Sequence, residues 1–288
     1  MSSRAPVTGY LFIALAAVLW GTLGIVSRII LESGVEALEL SFWRATIAGV
    51  LFAAHAIRRG RVRVERRDWP AVVGFAVVGV AVFYVSYLFA VRTGGAALAA
   101  ILLYTAPAWV AVASALWLHE SLTGRKVSAI TLTLVGVSFV ALGASRTGGI
   151  RVGAAAIGWG LLSGLAYASY YLFGKRYFAR YEAATLFMYV LPLGALLLLP
   201  GVHFAPKSGA TWGWIAYVSI VTTYVALQCY EAGLRRVEAT RAVTVATLEP
   251  VVASALAYVV WGEAWGPLGY VGAGLVLGGV MLMAGERT

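Results

Sequence analysis

The stretch TLEPVVASALAYVVWGE, residues 247–263, carries Glu249 near its start and Glu263 at its end, with no other charge between them. So long an apolar run is not needed by the exposed helix of a soluble domain. Yet a charge at the centre of a lipid-embedded helix costs about 2.5–3.5 kcal/mol on insertion scales. A second stretch has the same length and landmarks: YTAPAWVAVASALWLHE, residues 104–120, places Pro107 opposite Pro250 and Glu120 opposite Glu263, and upstream Arg92 answers Arg235, all at an offset of 143. Near that offset LFIALAAVLWGTLG faces AAIGWGLLSGLAYA. The chain therefore carries a weak internal repeat.

Of its 288 residues 61% are hydrophobic and 12% charged, with a mean hydropathy of +0.86. Soluble domains carry about 25% charged residues, so the composition is that of a membrane protein. A bilayer core takes about 20 helical residues to cross, and ten such apolar segments follow one another: 7–30, 38–57, 69–91, 96–118, 126–144, 152–175, 183–200, 211–232, 239–261 and 265–284. They are too long for barrel strands, and stretches such as IALAAVLW and VLPLGALLLLP do not alternate. An all-α membrane protein is expected. The first apolar run exceeds 20 residues and passes Trp20 and Gly21 without a clear small-residue cleavage site, so it reads as a mature helix. Cys229 is the single cysteine, which excludes an intramolecular disulfide.

The net charge of +10 is distributed by topology. An even number of helices puts both termini on one side, and placing that side in the cytoplasm assigns to it 16 of the 22 basic residues, including the run Arg58, Arg59, Arg61, Arg63, Arg66 and Arg67. This positive-inside bias orients the chain and leaves the surplus for anionic lipid headgroups rather than nucleic acid.

Each repeat holds five helices, an odd number, so the two units lie in the membrane in opposite orientations about a pseudo-two-fold axis in its plane. Such frameworks form two related arrangements, open to either side, with the substrate site near the midplane. Pro107 and Pro250 fall near the middle of the fourth and ninth helices. Each removes a backbone N–H and frees a carbonyl one turn earlier, which is tolerable beside protein, polar side chains or water. Either proline alone reads equally as a packing kink; the symmetric pair points to a cavity.

The blocks AAVLWGTLGIVSRII and SFWRATIAGVLF, the segment LEPVVASALAYVVWGEAWGPLGYVGAGLVLGGV, and its first-half partner through LHESLTGRKVSAITLTLVGVSFV resemble two EamA domains of the drug/metabolite transporter superfamily, over residues 10–144 and 152–284. The resemblance implies two inverted five-helix repeats around a central cavity. The expected function is a plasma-membrane carrier that moves amino acids or related small metabolites outward without a cofactor and without enzymatic chemistry. The aromatic content is most similar to the YddG-type exporters of aromatic and other amino acids. In such a carrier the fifth and tenth helices are expected outside the cavity. The pattern departs in that Ala106 stands where the second half has Glu249.

Polar and aromatic groups at mid-helix depth on the remaining helices are the candidates for substrate contact: Trp20, Tyr84, Tyr87, Tyr104, Trp109, Ser163, Tyr167, Tyr224, Gln228, Thr244 and Thr247. Tyr and Trp offer a flat apolar face and one hydrogen-bonding edge, and their rings attract an ammonium. Aromatic residues also simply pack, or form interfacial belts, the expectation for Trp69, Trp212, Trp214, Trp261 and Trp265. Arg44 and Glu249 need partners, water or, for the acid, a proton. Glu249 is either a proton-coupling group or a structural one that holds Arg44 or the break at Pro250. Glu120 and Glu263 end their helices and are expected to bind backbone or basic groups of the next connection.

His55, His119 and His203 are dispersed and offer no metal-ligand spacing. No GxxxxGK[ST] run is present for ATP. Small-xxx-small pairs at Gly160/Gly164 and Gly274/Gly278 fit helix packing, the second on a peripheral helix where a homodimer contact is possible. Exporters of other metabolites or drugs, and a passive channel, remain as alternatives. A membrane enzyme would gather His, Asp or Glu near one interface, whereas only 12 acids and three His are available. A reporter that requires the cytoplasm is expected to be active when fused at Thr288; activity only outside the cytoplasm would overturn the topology.

Overall fold

The computed structural model describes residues 4–144, 153–262 and 266–285; Glu263 and Trp265 lie outside them. Ten helices cover these residues, and no strand occurs among them. They are α1 (Arg4–Glu32), α2 (Ala37–Arg58), α3 (Arg66–Gly94), α4 (Ala96–Leu118), α5 (Gly124–Ala144), α6 (Ala154–Tyr177), α7 (Ala183–Gly201), α8 (Gly209–Leu234), α9 (Ala239–Trp261) and α10 (Pro267–Ala284). Among the described residues, nine helices are long and apolar enough to cross a membrane. The tenth, α6, has the length, but tyrosines, glycines and serines dilute its aliphatic side chains.

The two halves interlock rather than sit side by side. α2 packs along α7 and α5 along α10; α1 packs against α8 and α9 of the other half, as α6 does against α3 and α4. Individual residues obey the 143-residue offset. On α5, a Cβ on Gly136 would meet the Gly272 carbonyl at 2.7 Å and the Val276 nitrogen at 2.8 Å. On α10, a Cβ on Gly279 would meet the carbonyl of Ala129 at 2.8 Å and the nitrogen of Thr133 at 3.3 Å. Gly136 maps onto Gly279, Ala129 onto Gly272 and Thr133 onto Val276, so this seam is the same contact made twice. Gly49 meets Pro192, its own equivalent, where α2 and α7 cross near the axis. The wide π-type stretches Ala76–Val82 in α3 and Val218–Val225 in α8 also correspond.

The breaks in α4 and α9 are built alike. The helix gives way at Tyr104 and Thr105 in one and at Thr247 in the other, just before each proline. A threonine hydroxyl covers a carbonyl at each break: Thr105 donates to the Leu102 oxygen at 2.6 Å and Thr247 to the Thr244 oxygen at 2.5 Å. A glycine of the opposing half admits the broken backbone. Gly164 of α6 lies against the Leu102 carbonyl, and its equivalent Gly21 of α1 lies against Val252.

The face that carries the arginine-rich α2–α3 connection, here the basic face, is stitched between halves. The Glu120 carboxylate accepts from the backbone N–H groups of Ala239 (2.7 Å) and Thr240 (3.2 Å) and from the Thr240 hydroxyl (2.8 Å). It therefore caps the start of α9 in the other half, not the connection after its own helix, because the positive end of a helix dipole is the stronger partner. Lys126 and Arg241 both pair with Glu238, at 2.8 and 2.6 Å, and Arg180 and Tyr181 both donate to Asp68, at 2.7 and 2.6 Å. On the opposite face, Lys207 pairs with the buried Glu39 inside a cage of Trp43, Phe204 and Trp212 rings. Glu182, the equivalent of Glu39, pairs with the exposed Arg61 at 3.4 Å on the basic face.

The tryptophans expected at the interfaces make specific contacts as well. Trp69 meets Tyr189 at 4.8 Å, Trp212 meets Trp43 at 4.8 Å, and the Arg28 guanidinium lies 4.6 Å from the Trp261 ring. Gly274 and Gly278 face open space, whereas Gly272 and Gly279 form the seam with α5.

Two expectations follow. Gly272→Val forces side-chain atoms into the Gly136 backbone, and overpacking of this kind costs about 1–3 kcal/mol; the melting temperature of purified protein should fall accordingly, while Gly274→Val stays within about 0.5 kcal/mol of the parent. At Glu238, burial alone would raise the carboxyl, but the bonds from Lys126 and Arg241 outweigh it and hold the group below its ordinary 4.5. A depressed folded-state value means that the stabilisation is complete above the unfolded value and vanishes as pH falls through the folded one. The melting-temperature deficit of Glu238→Gln is thus expected to be constant at higher pH and to shrink below pH 4.5; a deficit that grew there would contradict the assignment.

Candidate functional site

A cavity of about 890 Å³ lies between the halves. It occupies the part of the span away from the basic face: its lining runs from Trp20 to Leu31 on α1, from Ala37 to Arg44 on α2, from Phe83 to Val91 on α3, and from Ala96 to Tyr104 on α4. At its deep end, towards the basic face, Trp20 and Tyr171 pack on Tyr230 at 5.8 and 5.5 Å, and the Tyr230 hydroxyl donates to the Tyr170 carbonyl at 2.7 Å. That aromatic floor and the polar stitching behind it separate the cavity from the basic face.

Of the sequence-derived candidates, the cavity brings together Trp20, Arg44, Tyr84, Tyr87, Tyr104, Tyr167, Glu249 and Pro250. The remaining ones are placed elsewhere. Trp109 is 39% exposed on the outside of α4, its indole N–H donating to Thr105. Ser163, Thr244 and Thr247 are buried, each donating to a carbonyl of its own helix, as hydroxyls without water do. Pro107 is buried in packing and does not reach the cavity. Tyr224 and Gln228 turn away to His55, at 2.9 Å each.

Tyr170, Tyr171 and Tyr230 were missed, as were Ser27, Ser41 and Ser254. Tyr170 and Tyr171 were recoverable, since they follow Tyr167 by three and four residues and so share its helix face. The expectation that α5 lies outside the cavity is corrected: Val137, Val140 and Ala141 line it, while α10 contributes none of its lining.

Two opposite charges face this space from different helices. Arg44 comes from α2, with Tyr84 5.1 Å beneath its guanidinium, and its Nε is buried without a hydrogen-bond partner. Glu249 comes from α9, beside Tyr104 and within the field of Arg44; no direct ion pair joins the two among the described residues. Around them the Tyr167 and Tyr171 hydroxyls meet at 3.1 Å, and Phe83 stacks on Tyr167 at 5.6 Å. Ligand cavities of about 300–1,000 Å³, mostly apolar with a few placed polar groups, suit small molecules. No group of three or more His, Cys, Asp or Glu able to hold a metal occurs among the described residues.

Known proteins share this architecture. A solved crystal structure superposes with a TM-score of 0.81 at 22% identity, over 98% of this chain and 96% of that one, a likeness of fold. The chain is 26% identical to the uncharacterized inner membrane transporter YicL of Salmonella typhimurium, over 96% of this chain and 95% of that protein. It is 28% identical to an uncharacterized transporter of Archaeoglobus fulgidus, over 94% of each. It is 27% identical to a probable terminal-alkyne amino-acid exporter of Streptantibioticus cattleyicolor, over 94% of this chain and 91% of that protein. The model of the EamA-like transporter family matches residues 7–142 and again 154–285, and the chain belongs to that family.

Proposed function

We propose that this transporter is an inner-membrane exporter of amino acids, with aromatic and other bulky neutral ones as preferred substrates, working by alternating access. The observation that carries the reading is the pair Arg44 and Glu249, two opposite charges on one tyrosine-lined cavity, neither of them in an ion pair among the described residues. A zwitterion has a carboxylate for the guanidinium, whose Nε lacks a partner, and an ammonium for Glu249 and the surrounding rings. The tyrosines and Trp20 then receive the side chain. The amino-acid exporter among the relatives supports the substrate class, and the inner membrane transporter supports the location.

With the basic face in the cytoplasm, the cavity opens outward and the aromatic floor closes it inward. This is the release state of an exporter, and the inverted repeat supplies the opposite arrangement. A passive channel would need a continuous path, which the floor of Trp20, Tyr171 and Tyr230 interrupts.

Counterflow in proteoliposomes tests the reading. Labelled phenylalanine, tryptophan or leucine should show saturable exchange stimulated by unlabelled substrate on the opposite side; failure of every aromatic and bulky neutral amino acid would overturn the substrate class. A hydrogen bond to a charged group is worth about 1.5–3 kcal/mol, so Arg44→Gln should weaken apparent affinity by about tenfold or more. Glu249→Gln should weaken it as well. Retained exchange with loss of pH-driven transport would instead make Glu249 the proton-coupling group.

A further inference from the structure

Tyr224, Gln228 and His55 form a second site on the outside of the bundle, between α2 and α8. A separate cavity of about 510 Å³ is lined there by Leu51, Ala54, His55, Arg58, Arg59 and Tyr224. Its two ends differ. Leu51 and Ala54 lie along the lipid-facing side of α2, while Arg58 and Arg59 lie at the end of that helix, on the basic face. Both arginines are exposed, and neither makes an ion pair among the described residues. None of the six lining residues is acidic.

His55 is held by two neighbours. Its Nδ1 lies 2.9 Å from the Tyr224 hydroxyl and 2.9 Å from the Gln228 Nε2. Both contacts fall on the Nδ1 edge of the ring and hold it in place, with donor and acceptor roles that follow the tautomer. Phe52 fixes the Tyr224 ring from behind, with centroids 4.7 Å apart. The cavity thus offers two guanidinium groups and a positioned imidazole at headgroup level, above an apolar slot one turn deeper.

We infer that this cavity binds the headgroup of an anionic phospholipid from the leaflet at the basic face. The phosphate takes Arg58 and Arg59 beside the His55 ring, and an acyl chain runs down past Ala54 and Leu51. Basic pockets between transmembrane helices recognise such headgroups, and the apolar lower half distinguishes a lipid from free phosphate. The bound lipid bridges α2 of one half and α8 of the other. This inference is independent of the transported substrate, because no residue of the second cavity lines the first.

The test is thermal unfolding of the detergent-purified full chain, titrated with dioctanoyl-phosphatidylglycerol, dioctanoyl-phosphatidylcholine or inorganic phosphate. The melting temperature should rise with the phosphatidylglycerol alone. Arg58→Gln with Arg59→Gln should weaken its apparent affinity by at least about tenfold, while the control Arg63→Gln with Arg66→Gln leaves it unchanged. Since Arg58 and Arg59 are exposed, their replacement does not disturb packing; His55→Gln gives an independent reading in the same direction. The inference is overturned if the wild-type protein shows no selective rise, if phosphate reproduces it, or if the Arg58/Arg59 variant responds like the parent.

Discussion

In hydrocarbon every backbone N–H and C=O must find a partner within the protein, and this structure is organised around the two places where its helices break that rule. Pro107 and Pro250 each deprive a carbonyl of its donor, and the chain opens there instead of continuing as helix. Hydroxyls of Thr105 and Thr247 cover neighbouring carbonyls. Gly164 and Gly21, one from each half, let the opposing helix approach closely enough to shield the exposed backbone. Each half therefore needs the other. A five-helix unit alone would leave its broken helix facing lipid, which explains why α1 packs against α8 and α9, and α6 against α3 and α4, instead of each staying with its own repeat.

The same interlocking decides where the molecule is closed. On the basic face the dipole of α9 is capped by Glu120, and Glu238 collects Lys126 and Arg241. The Glu120 cap and the Lys126–Glu238 pair join the halves behind the aromatic floor, while the corresponding start of α4, at Ala96 and Ala97, lines the open cavity. The asymmetry between closed and open sides is an asymmetry of side-chain bonding laid over a symmetric backbone. It also runs the other way. The Glu39–Lys207 pair is sheltered by three aromatic rings, whereas the equivalent Glu182 pairs with an exposed arginine, and an exposed pair contributes little because water and salt screen it.

How much of this the sequence reveals depends on the range of the signal. Helix number, inversion and the two breaks are carried by hydropathy, parity and the Pro–Glu–Arg register, all local or periodic properties, and the glycines that make the seam follow that same register. Lining residues are a different matter, because mid-helix depth does not say which way a side chain points. Trp109 and Tyr104 are five residues apart on one helix, yet one faces outward and the other the cavity. Ser163, Thr244 and Thr247 were chosen for polarity, but in an apolar span a hydroxyl's nearest acceptor is its own helix. Tyr224 and Gln228 have the right depth, but they answer to His55, a long-range neighbour from another repeat that no local pattern links to them. The place of α5 on the cavity wall is a matter of tertiary packing between helices and has no signature in the segment itself.

The two charges on the cavity follow neither repeat. The offset of 143 places Ala106 opposite Glu249 and Phe187 opposite Arg44, and both counterparts are buried. Backbone features, the prolines, glycines and wide turns, are duplicated because both halves fold by the same five-helix pattern. A ligand with two unlike ends cannot be read by two identical walls. If the ligand is a zwitterion, a pseudo-symmetric frame must present one cation and one anion, and the only economical way is to place each on one half alone. Arg44 lies in the first half and Glu249 in the second, so any movement of the halves past one another changes the distance between the groups that hold the ligand's two ends. Under the proposed alternating access, release and reorientation would be coupled through the separation of two charges, without a moving part dedicated to either.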